Sequence, residues 1–311
     1  MRKESKWHRF RRRLRRDWQL HLIILAPTLW MIVFSYLPMY GLQIAFRDYR
    51  PKLGIMGSPW VGLKWFADFL SDPDFLQIVW NTFAICIYSL ATFPIPIIFA
   101  LILNALKNER FSKTVKIISY MPHFISLPVM VGILFMLMSP TSGLYGSLYR
   151  LFTGNEFAPD VRYLSQNFRH LYVWSGVWQE LGWSAIIYVA ALSSVPTELH
   201  EAAMLDGASR IKRMWHIDIP TIMPTIGILF ILRCTGLLAV GIDKVLLMQR
   251  PMNKVVSQVI STYVFEKAIS GVRSYSYGAA VGLWNTIVNL IILFIVNTAV
   301  KKATDGEVTL Y

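Results

Sequence analysis

The 311-residue chain is more hydrophobic than an average soluble domain, with 55% hydrophobic, 14% aromatic and only 16% charged side chains. A net charge of +13 would suit nucleic acid only if the basic residues shared one soluble face, but they lie in clusters between apolar runs. Cys86 and Cys234 lie in apolar stretches without paired spacing, so we expect neither a disulfide nor a zinc site. Composition argues against a nucleic-acid partner and predicts an all-α membrane protein.

Six apolar stretches are long enough to cross a bilayer, whose hydrocarbon core of about 30 Å needs roughly 20 helical residues. They cover residues 20–46, 75–106, 115–138, 171–192, 221–241 and 278–300. The first three contain prolines, which we expect to kink helices that their neighbours then support. We therefore predict six transmembrane helices in a domain at 20–300, between a basic N-terminal segment at 1–19 and a C-terminal tail at 301–311.

Lys and Arg are distributed unevenly between the two sides of these spans. Nine precede the first span, and that side holds 18 in total, against 12 in the three opposite loops and one, Arg233, inside a span. Because cytoplasmic segments keep an excess of Lys and Arg, we predict that both termini are cytoplasmic. The basic start is expected to be a retained anchor that contacts anionic lipid, since the apolar run after it is too long for a signal peptide.

The loop at 193–220, between the fourth and fifth spans, is charged and helix-forming. The string VPTELHEAAML predicts a short helix that begins near Pro196 and is broken at Gly207. The string SRIKRMWHID predicts a second amphipathic piece, capped by Ser209 and closed at Pro220. Two short helices hinged at a glycine fit either a plug for a socket on another protein or a hairpin lying on the inner leaflet.

These residues resemble the EAA motif of permease subunits in binding-protein-dependent ABC importers, whose pattern is EAA, two residues, DGA and later I-x-L-P. Ile219 stands where Leu is usual, and Met214 where Phe is usual. The matching or equivalent positions are Glu201, Ala202, Ala203, Asp206, Gly207, Ala208, Met214 and Pro220.

The resemblance implies that the loop at 196–220 is the coupling helix, which seats in a cleft of a cytoplasmic ATPase. By the same resemblance Glu201 would meet basic groups of the ATPase, Ala203 would allow close packing and Gly207 would make the turn.

The resemblance extends over nearly the whole chain. The strings YLPMYGLQIAFRDYRP, YMPHFISLPVMVGILF and YSYGAAVGLWNTIVNLIILFIVN are similar to the carbohydrate branch of these permeases, especially to members associated with oligosaccharide or polysaccharide uptake. This implies a type I importer (MetI-like) fold in the bacterial plasma membrane. It also implies a second homologous permease as partner, two ATPase subunits and an extracytoplasmic solute-binding protein.

The sequence contains no GxxxxGK[ST] phosphate loop. We therefore expect no catalytic residue and no cofactor in this chain, with ATP and Mg bound by the partner ATPase. The histidines have no metal-ligand spacing, so no metal site is predicted.

Two ionisable residues lie well inside predicted spans, where they are expensive and are functional candidates by default. Glu180 and Arg233 are expected to pair with each other or to face an aqueous pathway and touch sugar hydroxyls or an acidic sugar; an ion pair is the favoured interpretation. In the last span, one stripe of small and polar residues is expected either to pack closely against other helices or to line a path. Its members, at steps of four, three and four, are Gly278, Gly282, Asn285 and Asn289. The candidate pathway residues are Glu180, Tyr188, Arg233, Trp284, Asn285 and Asn289.

Two other classes of function stay open. A secondary transporter driven by an ion gradient predicts an inverted repeat and several intramembrane carboxylates, and a membrane enzyme predicts clustered His, Asp or Glu at one face. The sequence shows neither pattern clearly. The loops at 143–169 and 243–277 are long for simple connections and are expected to fold over the outer mouth and receive a delivery protein.

Overall fold

The computed structural model describes residues 16–106, 108–269 and 275–303, and within these ranges the chain is helical. The β pairing recorded there is an isolated bridge between Arg47 and Trp60. Most of the basic N-terminal segment and most of the C-terminal tail, at 1–15 and 304–311, lie outside the described residues.

The α-helices in chain order are α1 (Trp18–Met31), α2 (Gly54–Gly57), α3 (Lys64–Leu70), α4 (Phe75–Ala91), α5 (Pro94–Ala105), α6 (Glu109–Tyr120), α7 (Leu127–Leu137), α8 (Leu144–Thr153), α9 (Ser165–Leu192), α10 (Thr197–Leu205), α11 (Arg210–Arg213), α12 (Ile219–Thr235), α13 (Ile242–Met248), α14 (Lys254–Ser257), α15 (Ile260–Val264) and α16 (Tyr275–Ala303). Segments of 3₁₀-helix cover Leu37–Phe46, Met121–Phe124 and Pro251–Asn253. Segments of π-helix cover Ile32–Tyr36, Met214–Asp218 and Phe265–Ile269.

Among the described residues, four continuous helices are long and apolar enough to cross a membrane. They are Trp18–Phe46, Phe75–Ala105, Arg210–Thr235 and Tyr275–Lys302. They coincide with the first, second, fifth and sixth predicted spans, which confirms a multi-pass membrane protein.

The third predicted span, at 115–138, is not one helix. The helix formed by α6 and its 3₁₀ extension meets α7 at an angle of 108°. Ile125 and Ser126 are extended and make this corner, and Pro122 and Pro128 lie in the first turns of the helical pieces beside it. Proline is tolerated in a first turn because its missing N–H is not needed there. The chain therefore turns at a corner between two helical pieces instead of continuing as one kinked helix, and the third predicted span is broken at Ile125 and Ser126.

The fourth predicted span lies inside α9, a helix of 28 residues. Helix α9 is not among the four that are apolar enough to cross a membrane, because it carries polar residues such as Gln179 and Glu180. It packs against α4, α5, α6, α12 and α13. A helix surrounded by other helices can carry polar groups on its inward faces.

The fifth predicted span, at 221–241, begins earlier and ends earlier than expected. Helices α11 and α12 are joined through the π-helical segment into one helix over Arg210–Thr235. Within it Ile219 donates its N–H to the carbonyl of Met214, the wide spacing of a π turn. Pro220, which lacks an N–H, follows directly in the first turn of α12. The second amphipathic piece is therefore the beginning of the membrane helix, and the prediction that Pro220 closes it was wrong.

The buried core is centred on α9. Its residues join one cluster with α4, α7 and α13, and another with α5 and α12. A third cluster joins α3, α4, α15 and α16. By contrast, α1 has no buried residue in the isolated chain. The apolar surface of α1 is therefore left for lipid or for another subunit.

We predict that Gly182→Ala destabilises the protein. A Cβ at Gly182 would collide with the backbone carbonyl of Ser119, because α9 packs directly on α6 there. Overpacking of this kind costs about 1–3 kcal/mol. Gly132→Ala is the matched control, since a Cβ at Gly132 in α7 meets no atom within 4 Å. Melting temperatures in detergent should fall for the first variant only; equal melting temperatures would contradict the close packing.

Candidate functional site

A cavity of about 700 Å³ lies between α4, α5, α9 and α12. This volume is within the range of small-molecule sites. Its walls are largely apolar, and the charged or aromatic side chains among them are Phe93, Tyr172, Glu180, Trp183, Tyr188, Arg233 and Lys244. A few polar groups in an apolar wall can orient a polar ligand.

Three of the six candidate pathway residues, Glu180, Tyr188 and Arg233, meet in this cavity. The other three, on α16, are not among the residues that line it, because α16 packs against α12 and the 3₁₀ segment after α1. Trp284 packs edge-to-face against Phe69 and Phe75, with ring centroids 5.5 and 5.7 Å apart.

The two asparagines of α16 serve other contacts. The side-chain oxygen of Asn289 accepts a hydrogen bond of 3.0 Å from the N–H of Leu238, at the turn that follows α12. The oxygen of Asn285 is buried and has no hydrogen-bond partner within the described ranges. In the same stripe, Gly278 is packed against Ala268, whereas Gly282 has open space around it. Close packing is confirmed for the first glycine only.

Glu180 pairs with His123 and not with Arg233. The Nδ1 atom of His123 lies 3.0 Å from Oε2 of Glu180. The imidazole also stacks in parallel on Trp183, with centroids 4.2 Å apart and an interplanar angle of 2°. Glu180 and Trp183 are one helical turn apart on α9, so both reach the same neighbour. The corner between α6 and α7 brings His123 to this face of α9. The sequence alone shows only a histidine between two prolines, so the sequence analysis missed this contact.

Arg233 is exposed in the isolated chain, and its charge faces the cavity without an ion pair among the described residues. Lys244, on α13, is only 9% exposed and also lines the cavity. Its Nζ atom donates to the carbonyl of Tyr172 at 2.8 Å and lies 4.6 Å from the centroid of that ring.

Burial lowers the pKa of Lys244 to about 8, although the charge of Glu180 acts in the opposite direction. Lys244 is therefore still mainly a cation at neutral pH. The sequence analysis missed Lys244 because it falls in a predicted outer loop. A lone cation inside the apolar string IDKVLLM is the signal that could have found it.

The described part of the predicted outer loop at 243–277 is hydrogen-bonded to the bundle. Asn81 on α4 donates through Nδ2 to the carbonyls of Val255 at 2.8 Å and Gln258 at 3.1 Å. Arg169 on α9 donates to the side-chain oxygen of Asn81 at 2.9 Å. These bonds fix the loop to the same helices that form the cavity wall.

The predicted turn after α10 is confirmed in detail. Gly207 has a φ of +75°, which favours glycine. The N–H of Ala208 bonds to the carbonyl of Ala203 at 2.8 Å, and the N–H of Gly207 bonds to Met204 at 3.1 Å. This pair of bonds is the Schellman motif that ends many helices. Ser209 then caps α11 by accepting from the N–H of Lys212.

The surface of this segment is apolar as well as charged. Leu205 is 91% exposed, Ile211 67% and Trp215 64%. Glu201, Ala202 and Asp206 are also exposed, whereas Ala203 and Met214 are partly buried. Exposed apolar groups within a charged rim mark an interaction surface.

A multi-pass helical bundle with an exposed helical turn, and with a largely apolar cavity that holds a few charged groups, is typical of a membrane transport subunit. Residues 93–303 match the family described as the binding-protein-dependent transport system inner membrane component, and the chain belongs to that family. It is therefore the permease subunit of an ABC importer, and solute-binding proteins are the usual partners of such subunits.

Two relatives from Bacillus subtilis (strain 168) are each 38% identical to this chain. Protein LplB aligns over 292 residues, 93% of this chain and 90% of its own length. The polygalacturonan/rhamnogalacturonan transport system permease protein YteP aligns over 295 residues, 94% of this chain and 90% of its own length.

Solved structures agree with this assignment. A bacterial ABC transporter involved in the import of the acidic polysaccharide alginate contains a chain that superposes with a TM-score of 0.86 at 31% identity, covering 94% of this chain and 99% of that one. The alginate transporter in complex with alginate pentasaccharide-bound periplasmic protein gives 0.85 at 30% identity, with 96% and 98% covered. The expected MetI-like permease fold is confirmed.

We predict that His123→Ala and Glu180→Gln are non-additive in stability. The double variant should recover about 0.5–3 kcal/mol relative to the sum of the singles, because both remove one contact. Arg233→Ala combined with Glu180→Gln should be additive. Denaturation midpoints in detergent measure both cycles, and coupling only in the Arg233 cycle would contradict the observed pairing.

Proposed function

We propose that this chain is one half of the transmembrane channel of an importer in the bacterial plasma membrane, and that the imported solute is an acidic oligosaccharide. The family and the permease relatives support import. The charge of the cavity carries the proposal for the solute: Arg233 and Lys244 are both cations, and the one carboxylate, Glu180, is engaged by His123. Galacturonan and alginate, named for the relatives, are acidic.

The aromatic side chains of the cavity support a sugar in particular. Trp183 and Tyr188 line it beside the charged groups. An aromatic face can pack against the apolar face of a sugar ring while nearby polar groups bind its hydroxyls. In this proposal Glu180 binds hydroxyls, and the two cations bind carboxylates.

The proposed topology has six spans and both termini in the cytoplasm. The four apolar helices form four of them, α9 forms the fourth in chain order, and the bent pair of α6 and α7 forms the third. The Lys and Arg count supports the orientation, because 18 of the 31 lie on the proposed cytoplasmic side. The permease domain then covers 20–300, with the coupling loop at 193–220.

The coupling role of this loop rests on its motif and on its exposed surface. Glu201 and Asp206 supply charge for contacts with a cytoplasmic ATPase, and Leu205 supplies apolar area. Gly207 holds the turn in the shape that the ATPase cleft would receive. ATP and Mg would be bound and used by that subunit.

The remaining partners follow from surfaces that the isolated chain leaves uncovered. A second homologous permease would complete the channel, since Arg233 on the cavity wall is exposed and α1 buries nothing. Two ATPase subunits would then serve the two coupling loops. The outer loop at 243–277 would receive the solute-binding protein.

We predict that Gly207→Pro abolishes coupling. Proline fixes φ near −65°, which is incompatible with the +75° of this turn. In proteoliposomes that contain the partner permease, the ATPase and the binding protein, ATPase activity stimulated by loaded binding protein should disappear while the membrane subunits stay assembled.

Gly62→Pro is the matched control, because Gly62 also has a positive φ, +61°, but lies in the segment before α3, outside the coupling loop and outside the two long outer loops. ATPase stimulation by loaded binding protein should be retained in this control variant. Uptake that needs no ATP in the native complex would instead favour a secondary transporter driven by an ion gradient.

We also predict that Lys244→Gln weakens selection for acidic solutes. Uptake of a galacturonate oligosaccharide should fall about tenfold relative to its carboxyl-reduced counterpart, because a hydrogen bond to a charged group contributes about 1.5–3 kcal/mol. Lys52→Gln, at an exposed lysine, is the control.

The same preference should depend on pH in the native complex. Since the lowered pKa of Lys244 is about 8, its charge is present at neutral pH and is lost as the pH rises through that value. The preference should therefore decline between pH of about 7 and about 9 in the native protein and stay flat in the Gln variant. An unchanged preference in the variant would contradict the role of Lys244.

A further inference from the structure

A second contact bridges the turn at Gly207. His200 lies on α10, before the turn, and Asp218 ends the π-helical segment that leads into α12. The Nε2 atom of His200 is 3.1 Å from Oδ1 of Asp218. The coupling loop is thus joined to the membrane helix both through the chain and through this side-chain pair.

The pair is buried on its acidic side. The side chain of Asp218 is 5% exposed and that of His200 is 23% exposed. Arg210 and Arg213 line the same small cavity of about 330 Å³, together with the C-terminal end of α5. Because a buried carboxylate is costly without nearby cations, separating His200 from Asp218 is unfavourable, although Arg213 also stabilises the Asp218 carboxylate.

The contact between His200 and Asp218 restricts movement of the two helices about the turn at Gly207. Two helices joined only at a glycine can pivot about it, since that residue has few steric restraints. A contact between the two helices away from the turn fixes their angle. Helix α12 begins directly after Asp218 and carries Leu229 and Arg233 to the main cavity. A displacement of α10 is then passed to the cavity wall.

We propose that His200 and Asp218 act as a brace that makes α10 and the start of α12 move as one body when the ATPase pushes on α10. They are positioning residues and touch neither solute nor nucleotide. This inference rests on the proposed coupling function and adds the residues that transmit the motion. Neither residue belongs to the motif positions identified from the sequence.

The test uses the full complex in proteoliposomes and compares native protein with His200→Ala, Asp218→Asn and the exchanged pair His200→Asp with Asp218→His. Three quantities are measured: assembly by size exclusion, ATP hydrolysis, and solute molecules imported per ATP. We expect the single variants to assemble and to hydrolyse ATP, while import per ATP falls about tenfold, within the usual range of coupling between sites. The exchanged pair should recover import.

His216→Ala is the matched control. His216 lies on the same segment but is exposed and contacts the carbonyl of Lys212 on its own helix. Its import per ATP should be unchanged. An equal loss in His216→Ala, or unchanged import per ATP in both single variants, would overturn the brace. A native complex that hydrolyses ATP without importing solute would instead overturn the proposed function.

A second readout does not depend on transport. Spin labels at Thr197 and Thr221, both exposed, report the distance between α10 and α12. The distance distribution should be narrow in the native background and broad in His200→Ala. Equal widths would overturn the brace, also in the case that Asp218→Asn fails to assemble.

Discussion

The polar face of α9 is the constraint on which the arrangement of the other helices depends, because its carboxylate needs a partner other than lipid. A helix that carries Glu180 and Gln179 cannot turn those groups to lipid at low cost. The structure surrounds α9 with α4, α5, α6 and α12, and its carboxylate is paired with His123. The cavity lies along the same helix, so the residues that are costly in a membrane are also the ones available to a solute.

The long apolar helices could be predicted from the sequence because length and hydropathy determine them together. The corner between α6 and α7 could not, since Pro122 and Pro128 are compatible with a kink, a break or a new first turn. The predicted ion pair between Glu180 and Arg233 was wrong for the same reason. The ion pair of Glu180 depends on where that corner places His123, which is tertiary information, whereas the turn at Gly207 depends on local chemistry and was predicted.

The predictions of pathway residues divide in a similar way. Glu180 and Arg233 stand out because charge is rare in an apolar run, and both reach the cavity. Asn285 and Asn289 belong to a periodic stripe, and such a stripe shows only that one helix face differs from the others in residue type. It does not say which neighbour that face meets. Lys244 lies on a segment that leaves the membrane helix after Thr235 and returns to the cavity. Hydropathy does not reveal this return.

Helix α1 stands apart from this interdependence. With no residue buried against the rest of the chain, it contributes no packing energy to the isolated subunit. Substitutions along α1 therefore change only its contacts with lipid and with neighbouring subunits. The fold tolerates sequence changes in α1 that it would not tolerate in α9. The family match begins at residue 93, well after α1. Divergence at this helix could alter which subunit the chain assembles with while the cavity stays intact.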